Sequence, residues 1–428
     1  MKTLLLLPLA PLLLAASVGR GDEATTTVDA LIERAYANNR ELRLATIEIE
    51  RAKNRLRWSG RLPNPELEIS ATDDGPGLDE GEAVYEVAFA QRFPVTSRLR
   101  AEKAVRRVEV LLAATEIAER KRDLAHEIET LAVELAATRA EADLQSRLAQ
   151  LNREVVAFLE ERARLGEVSS LEVTQAELTG KSLERAIRSE EKRVDTLDLQ
   201  IKRLAGLDAD ERLPVAATLE VPGASPSDLP SLKDALERRP DYLAALVRAD
   251  VSRAELTLAR AGRFEDVSVR LFVEREKSTD APNGLERNTF AGVGFSIPLP
   301  LRQRNQEGIE SARLDVEAAD RTAEARAFAI ESELAIAREE LEATRELARE
   351  AAGEPLRLAE KNLTDFREAH QKGQASLLQV QRAQEQVLEL EHAAIALRRD
   401  FHLARATLRH AAAGYPGLVI SPSTPESP

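Results

Sequence analysis

Histidine is the only side chain in this chain suited to binding a soft or borderline metal. There is no cysteine, and the one methionine is Met1. Without thiols there is no disulfide, no thiolate metal centre, no thiol nucleophile and no lipid-modified N-terminal cysteine. The histidines are His126, His370, His392, His402 and His410. No pair has the i, i+4 spacing of a helical metal site. His402 and His410 can share a helix face, but ordinary core or surface histidines are the better reading. Acidic pairs such as Glu160-Glu161 and Glu339-Glu340 read as solvated helix surface. There is no P-loop and no G-x-S-x-G. Gly292-Val293-Gly294 sits in an alternating strand pattern with no phosphate-cradling helix behind it. The chain is therefore read as non-enzymatic, with no cofactor and no metal site of its own.

The informative spacing is centred on glycine. Gly166-Glu167-Val168-Ser169-Ser170-Leu171-Glu172-Val173 returns half a chain later as Gly373-Gln374-Ala375-Ser376-Leu377-Leu378-Gln379-Val380. Ala35-Tyr36-Ala37-Asn38-Asn39-Arg40-Glu41-Leu42 returns as Ala235-Leu236-Glu237-Arg238-Arg239-Pro240-Asp241-Tyr242. Phe89-Ala90-Gln91-Arg92-Phe93-Pro94 returns as Phe295-Ser296-Ile297-Pro298-Leu299-Pro300. A repeat of this length is not a short solenoid unit. It implies two similar elongated halves packed side by side.

The elements that position those turns follow from periodicity. Thr27 or Asp29 can cap a first helix running to about Trp58, which Pro63-Asn64-Pro65 stops. Leu67, Ile69 and Ala71 then alternate with Glu66, Glu68 and Ser70 as a strand. After the polar loop Asp73 to Gly77, Tyr85, Val87, Phe89 and Phe93 mark a partner strand, with Gln91 as the exception on its apolar face. A long helical region starts near Ser97. Leu124, Ile128, Leu131 and Leu135, then Leu144, Leu148, Leu151, Val155 and Phe158, trace a coiled-coil-like seam. Gly166 breaks it, and Ser169 or Ser170 caps a helix returning to Gly206. The second half repeats the plan: a helix from Ser231 to about Arg260, a strand through Val267 to Val273, and a polar loop Glu274 to Arg287. A strand through Ala291, Val293, Phe295, Ile297 and Leu299 follows, then helices from about Gln306 with a break at Gly353-Glu354-Pro355, and the turn at Gly373. The expected organisation is a signal peptide over 1–22, a first repeat over 23–213, a linker over 214–230, a second repeat over 231–414 and a flexible Pro/Ser-rich tail over 415–428.

The N-terminal segment has Lys2, an apolar run from Leu4 to Ala16 and small residues for cleavage, which reads as an export signal. Net charge is −14, which disfavours nucleic acid as a partner. Aromatics are only 4%, and Leu, Ala, Glu and Arg dominate, which favours long helices over a large mixed core. Each half supplies one hairpin of strands with one apolar face, at about the 9–10 residues that cross a bilayer when tilted. Four strands cannot close a barrel, so a barrel would need several chains. A soluble hairpin packed on a helix is the plainer alternative.

The order helix, strand pair, helical hairpin, twice over, resembles the TolC-type outer-membrane efflux proteins. The resemblance spans about Val28 to Gly414. It is carried by Leu62-Pro63-Asn64-Pro65, by Phe295 to Leu301 with Arg304-Asn305-Gln306, and by Lys372 to Val380. The pattern is nearest the branch that serves heavy-metal (cobalt–zinc–cadmium) exporters of the RND type. It implies a mainly α fold with a small β part: tandem long helical hairpins plus two β-hairpins giving four strands to a shared trimeric outer-membrane barrel. It further implies a homotrimer in outer-membrane lipid, with a periplasmic adaptor and an inner-membrane RND pump as partners. On the resemblance, the helix tips Leu165, Gly166, Glu167, Val168 and Ser169, with Gly373, Gln374, Ala375 and Ser376, would dock the adaptor. The tip aperture, acidic in many such proteins, would here be lined by Gln379 and Arg382, with Glu172 and Glu177 as substitutes. The function implied is a passive exit duct for heavy-metal cations. A multidrug or type I protein-secretion duct, or a soluble periplasmic coiled-coil scaffold, are the alternatives.

Overall fold

The computed structural model describes residues 26–73, 81–222, 230–280 and 284–418. The expected signal peptide, most of the loop after Asp73 and the end of the tail lie outside the described residues. In chain order the elements are β1 (Thr26–Thr27), α1 (Val28–Asn38), α2 (Arg40–Trp58), β2 (Glu66–Asp73) and β3 (Ala83–Phe93). The long helices α3 (Arg98–Arg164) and α4 (Ser170–Ala205) complete the first half, and β4 (Val215–Ala216) follows. The second half contains α5 (Leu232–Arg238), α6 (Pro240–Ala261), β5 (Val267–Asp280), β6 (Gly284–Ser296), α7 (Gln306–Ala351), α8 (Glu354–Gln371) and α9 (Leu377–Ala411). The fold is mainly helical with a small sheet part, as expected.

Each entry helix is broken where an unbroken helix is expected from periodicity. The two breaks are equivalent in the repeat. At Asn39 the side-chain oxygen accepts from the Leu42 N–H at 2.8 Å, and its amide donates to Leu204 O at 2.8 Å. The cap restarts the chain as α2 and ties it to the last turn of α4. In the second half Pro240 is the first residue of α6, and Arg239 before it is held extended. Arg239 donates to Ala411 O at 3.1 Å, the last turn of α9. The same joint is thus built from asparagine in one half and arginine in the other.

Gly206 ends α4 at φ 68, and a Cβ there would meet Asn38 O at 2.4 Å. The equivalent position in the second half is Ala413, held at φ 51. Around these joints lie the two main cores. One contains Leu31, Ile32, Ile128, Leu135 and Ile201, and the other Ile330, Leu334, Phe401 and Leu408. The seam of α3 runs as expected through Leu124, Ile128, Leu135, Leu144 and Leu148, all buried. Near the tip it shifts by one residue: Leu159 is buried and Phe158 exposed.

The sheet order is β2-β3-β5-β6, antiparallel throughout, so the central pair β3–β5 joins the two halves. Glu274–Arg287, expected as a polar loop, is mostly strand: β5 and β6 pair from Ser268↔Ser296 out to Asp280↔Gly284. The last strand also stops at Ser296, short of the Ile297 and Leu299 assigned to it. Pro298 and Pro300 lack the donors to continue it. The segment read as a linker contains β4, which pairs in parallel with β1 and so ties the start of the described chain to its middle. The start of the expected tail is packed, with Tyr415 and Leu418 in the first core. Among the described residues no helix is long and apolar enough to cross a membrane.

Candidate functional site

The two helix tips are built alike. At the first, Gly166 has φ 75, its N–H bonds Ala163 O at 3.0 Å, and the Glu167 N–H bonds Arg162 O at 3.0 Å. At the second, Gly373 has φ 74, its N–H bonds His370 O at 2.9 Å, and the Gln374 N–H bonds Ala369 O at 2.8 Å. These paired bonds satisfy carbonyls that a helix end leaves open, and the positive φ explains the glycine. Ser169 accepts from the Leu171 N–H at 3.1 Å to start α4. Ser376 and Gln379 form a reciprocal capping box that starts α9. Nothing lies within 4 Å of a Cβ built on Gly166 or Gly373. Leu165, Glu167, Ser169, Gln374 and Ser376 are exposed, with Val168 and Ala375 half-buried, so both tips present open surfaces.

The four residues expected to line a tip aperture lie on two helices, α4 and α9. Glu172 and Glu177 are exposed on α4 but diverge by about 140° around it. Gln379 and Arg382 share a face of α9, yet the Gln379 amide oxygen accepts from the Ser376 N–H at 2.8 Å as part of the cap. What converges between the hairpins is uncharged amide chemistry that periodicity did not single out. Asn152, Gln175, Thr179, Gln381 and Gln384 line a cavity of ≈ 140 Å³ between α3, α4 and α9, with Glu385 the one charged residue among its polar lining. Asn152 is buried there and donates to Ala176 O at 3.0 Å.

The sheet has two unlike faces. In register, Leu67, Phe89, Leu271 and Val293 form one row, and Ile69, Val87, Val273 and Ala291 the next. Nearly all of these large apolar side chains are exposed. On the other face Glu68, Ala88, Phe272 and Gly292 align, as do Glu66, Ala90, Arg270 and Gly294. The end of the Phe272 ring lies against Gly292, where a Cβ would meet it at 2.6 Å. Arg92 pairs with Glu66 at 3.0 Å, and Arg270 with Glu86 and with Glu68 at 3.1 Å. Where this face meets the helices, Glu66, Glu68, Arg92, Arg98, Asp266 and Arg270 line a cavity of ≈ 760 Å³.

A buried charge cluster joins the halves. Asp241 accepts from Arg239 and Arg326 and lies 3.5 Å from Arg122, while Arg239 also pairs with Glu333. Burial alone would raise the Asp241 pKa, but the Arg239 bonds and the Arg122 charge hold it well below the usual range. Glu119 accepts from Arg122 at 2.7 Å through one oxygen, but its other oxygen is buried without a hydrogen bond, and burial pushes its pKa up to about 7 against the Arg122 charge. His410 stacks on His126 with ring centroids 4.5 Å apart, and burial, Arg122 and His126 push it down to about 3. His402 does not join them; it bonds Glu220 O at 3.2 Å, and burial lowers it to about 4. His370 bonds Ala375 O at 2.8 Å in the second tip, and His392 lies 3.0 Å from the Gln145 amide. Among the described residues no group of three or more His, Asp or Glu is placed to hold a metal ion.

Comparison with known proteins gives a consistent picture. Residues 231–414, the second half, match the family described as Outer membrane efflux protein. The fusaric acid resistance protein FusA of Burkholderia cepacia is 29% identical over 166 residues, covering 37% of this chain and 31% of that protein. The chain thus matches about a third of that relative's length. The crystal structure of CusC, from work on folding and transmembrane channel formation, is similar with TM-score 0.72 at 19% identity, over 91% of this chain and 92% of that one. The outer membrane protein VceC of Vibrio cholerae gives 0.69 at 20% identity, over 90% and 95%. The outer membrane channel CmeC of Campylobacter jejuni gives 0.70 at 16%, over 96% and 94%. Over nine-tenths of its length the chain shares the fold of these solved structures.

Proposed function

We propose that this chain is the outer-membrane exit duct of a tripartite RND-type efflux assembly. Three copies join their sheets edge to edge into one twelve-stranded barrel, and the helical hairpins continue it as a tunnel through the periplasm. The observation that carries the reading is the sheet: four strands with an exposed apolar face and two unpaired edges, β2 and β6, fused to long hairpins. Open edges are not tolerated in lipid, so closure by further copies is the physical requirement. The family match of the second half and the likeness to solved outer-membrane channels support it.

In this reading the open tips at Gly166 and Gly373 receive the hairpins of a periplasmic adaptor, and energy comes from the inner-membrane pump. The cargo is cationic, and heavy-metal cations are the leading candidate. The support is the inner sheet face, where Glu66, Glu68, Glu86, Glu274, Glu276 and Glu286 outnumber Arg92 and Arg270. Acidic rings favour cations in a pore. A second reading, export of small organic toxins, is favoured by the likeness to a fusaric acid resistance protein.

Planar-bilayer recording of the purified protein tests both levels. The duct reading requires stepwise conductance from a trimer, and absence of insertion would sink it. The cationic reading requires a reversal potential on the cation side that moves toward zero in Glu274→Gln/Glu276→Gln/Glu286→Gln. An anion-selective pore would overturn it. Growth of a deletion strain on zinc, cobalt and cadmium salts, against drugs and fusaric acid, then assigns the cargo.

A further inference from the structure

The outer ends of β5 and β6 sort their charges by sign. Glu274-Arg275-Glu276-Lys277 alternates strictly, and Glu286-Arg287 continues the pattern on the partner strand. Successive side chains of a strand point to opposite faces. The acids therefore fall on the face of Glu68 and Phe272, and the bases on the face of Leu271 and Val273. Register brings the bases together: Lys277 is directly opposite Arg287, and Arg275 sits between Tyr85 and Thr289. All four strands join their helices at the other end, so the three cations mark the end of the sheet farthest from the helices.

These cations differ from the other arginines of the sheet. Arg92 and Arg270, on the inner face, are each paired with glutamates. Among the described residues Arg275, Lys277 and Arg287 have no ion pair; Lys277 lies 6.0 Å from the centre of the Tyr85 ring. Like charges directly opposite across a strand pair destabilise it unless an anion sits between them. The position just beyond the apolar rows, beside a tyrosine, is the level of a bilayer interface. Guanidinium groups suit phosphate because they donate two parallel bonds to it.

We propose that Arg275, Lys277 and Arg287 form a docking site for the phosphorylated headgroup of an outer-leaflet lipid, one site on the outside of each protomer. This rests on reading the sheet as part of an outer-membrane barrel. The headgroup neutralises the Lys277–Arg287 repulsion and fixes the height of the barrel in the membrane. Lipid is favoured over dissolved phosphate because the site is continuous with the apolar rows of Val273, Val87 and Ile69, which would hold the acyl chains.

The test is native mass spectrometry and thermal unfolding of the full-length trimer. The trimer is reconstituted with phosphatidylcholine plus a bis-phosphorylated glycolipid, the same glycolipid with its phosphates removed, or inorganic phosphate. The proposal expects the phosphorylated glycolipid to be retained and to raise the unfolding temperature, with no effect of the other two. Retention should drop about tenfold or more in Arg275→Gln/Lys277→Gln/Arg287→Gln, and not in the inner-face control Glu274→Gln. Equal retention of the dephosphorylated lipid, an equal effect of inorganic phosphate, or an unchanged triple variant would each overturn it. If the triple variant does not assemble, the wild-type comparison of the two glycolipids still decides. Failure of the wild type to form a trimer or insert would count against the barrel reading instead.

Discussion

Arg239 and Ala413 show how much one side chain can carry at a joint. Arg239 is buried, holds Asp241 and Glu333, and closes the end of α9 through Ala411 O. Its removal leaves Asp241 with less compensation in the interior. Arg239→Ala is expected to cost about 3 kcal/mol or more in denaturant unfolding. Ala413 occupies a left-handed conformation that its partner in the repeat fills with glycine. Ala413→Gly should stabilise by up to about 1 kcal/mol in the same experiment. The histidines set a pH dependence. His410 titrates near 3 in the fold against about 6.5 unfolded, so the stability it confers is present above pH 6.5 and is lost as pH falls toward 3. Glu119 acts in the opposite sense. Its pKa is raised to about 7, so stability is gained as pH falls from 7 toward 4.5. His410→Gln should flatten the acid decline in unfolding temperature, and Glu119→Gln should steepen it. The reverse pattern would remove these two groups as the cause. None of this cluster was legible in the sequence. Its members come from α3, α6, α7 and α9, and no local spacing announces a contact across four elements.

At the scale of elements, the tips were readable because their physics is local. Glycine at the left-handed position and serine at the cap identify a helix turn without knowledge of its surroundings. The outer ends of β5 and β6 were not readable by hydrophobic periodicity. Glu274 to Lys277 has no apolar member, so a scale that sees only polar residues returns a loop. The period was present in the sign of the charge. The breaks at Asn39 and Arg239 were hidden for a different reason: an asparagine or a proline inside a helical pattern is compatible with a first-turn position as well as an interior one. The alternation also makes register testable. Deleting Arg275 alone moves every residue between it and the turn to the opposite face. That deletion should abolish the assembled trimer on gels, whereas deletion of Arg275 and Glu276 together, which keeps the parity, should preserve it.

At the scale of the whole molecule, the chain leaves apolar side chains uncovered on its helices as well as on its sheet. Leu44 and Ile47 on α2, Leu178 and Leu199 on α4, and Phe328, Ile336 and Leu347 on α7 are all exposed. They lie on elements from both halves, as a ring of copies packing first half against second would require. Phe328→Asp/Ile336→Asp is expected to prevent trimer formation in size-exclusion chromatography while leaving helical circular dichroism intact. An unchanged trimer would place the interface elsewhere. The fold class and the duplication were legible because every long helix announces itself through its seam. In the proposed assembly the closure was legible only as a necessity, since the partner that would satisfy the edges is another copy and no single sequence displays it.

The two hairpins that look like copies are mechanically different. The first rises in a single helix from Arg98 to Arg164, a continuous rod. The second is interrupted at Gly353, whose cap has no side-chain bond, with Pro355 just inside α8. Below the interruption Leu363, Val380 and Ala383 form a small core of their own, apart from the main one. In the proposed trimer the tip ring is therefore six hairpins of two stiffnesses, rod and jointed arm in alternation. A ring of six identical partner subunits would meet two quasi-equivalent seats: three that hold their shape, and three whose shape is settled only on contact.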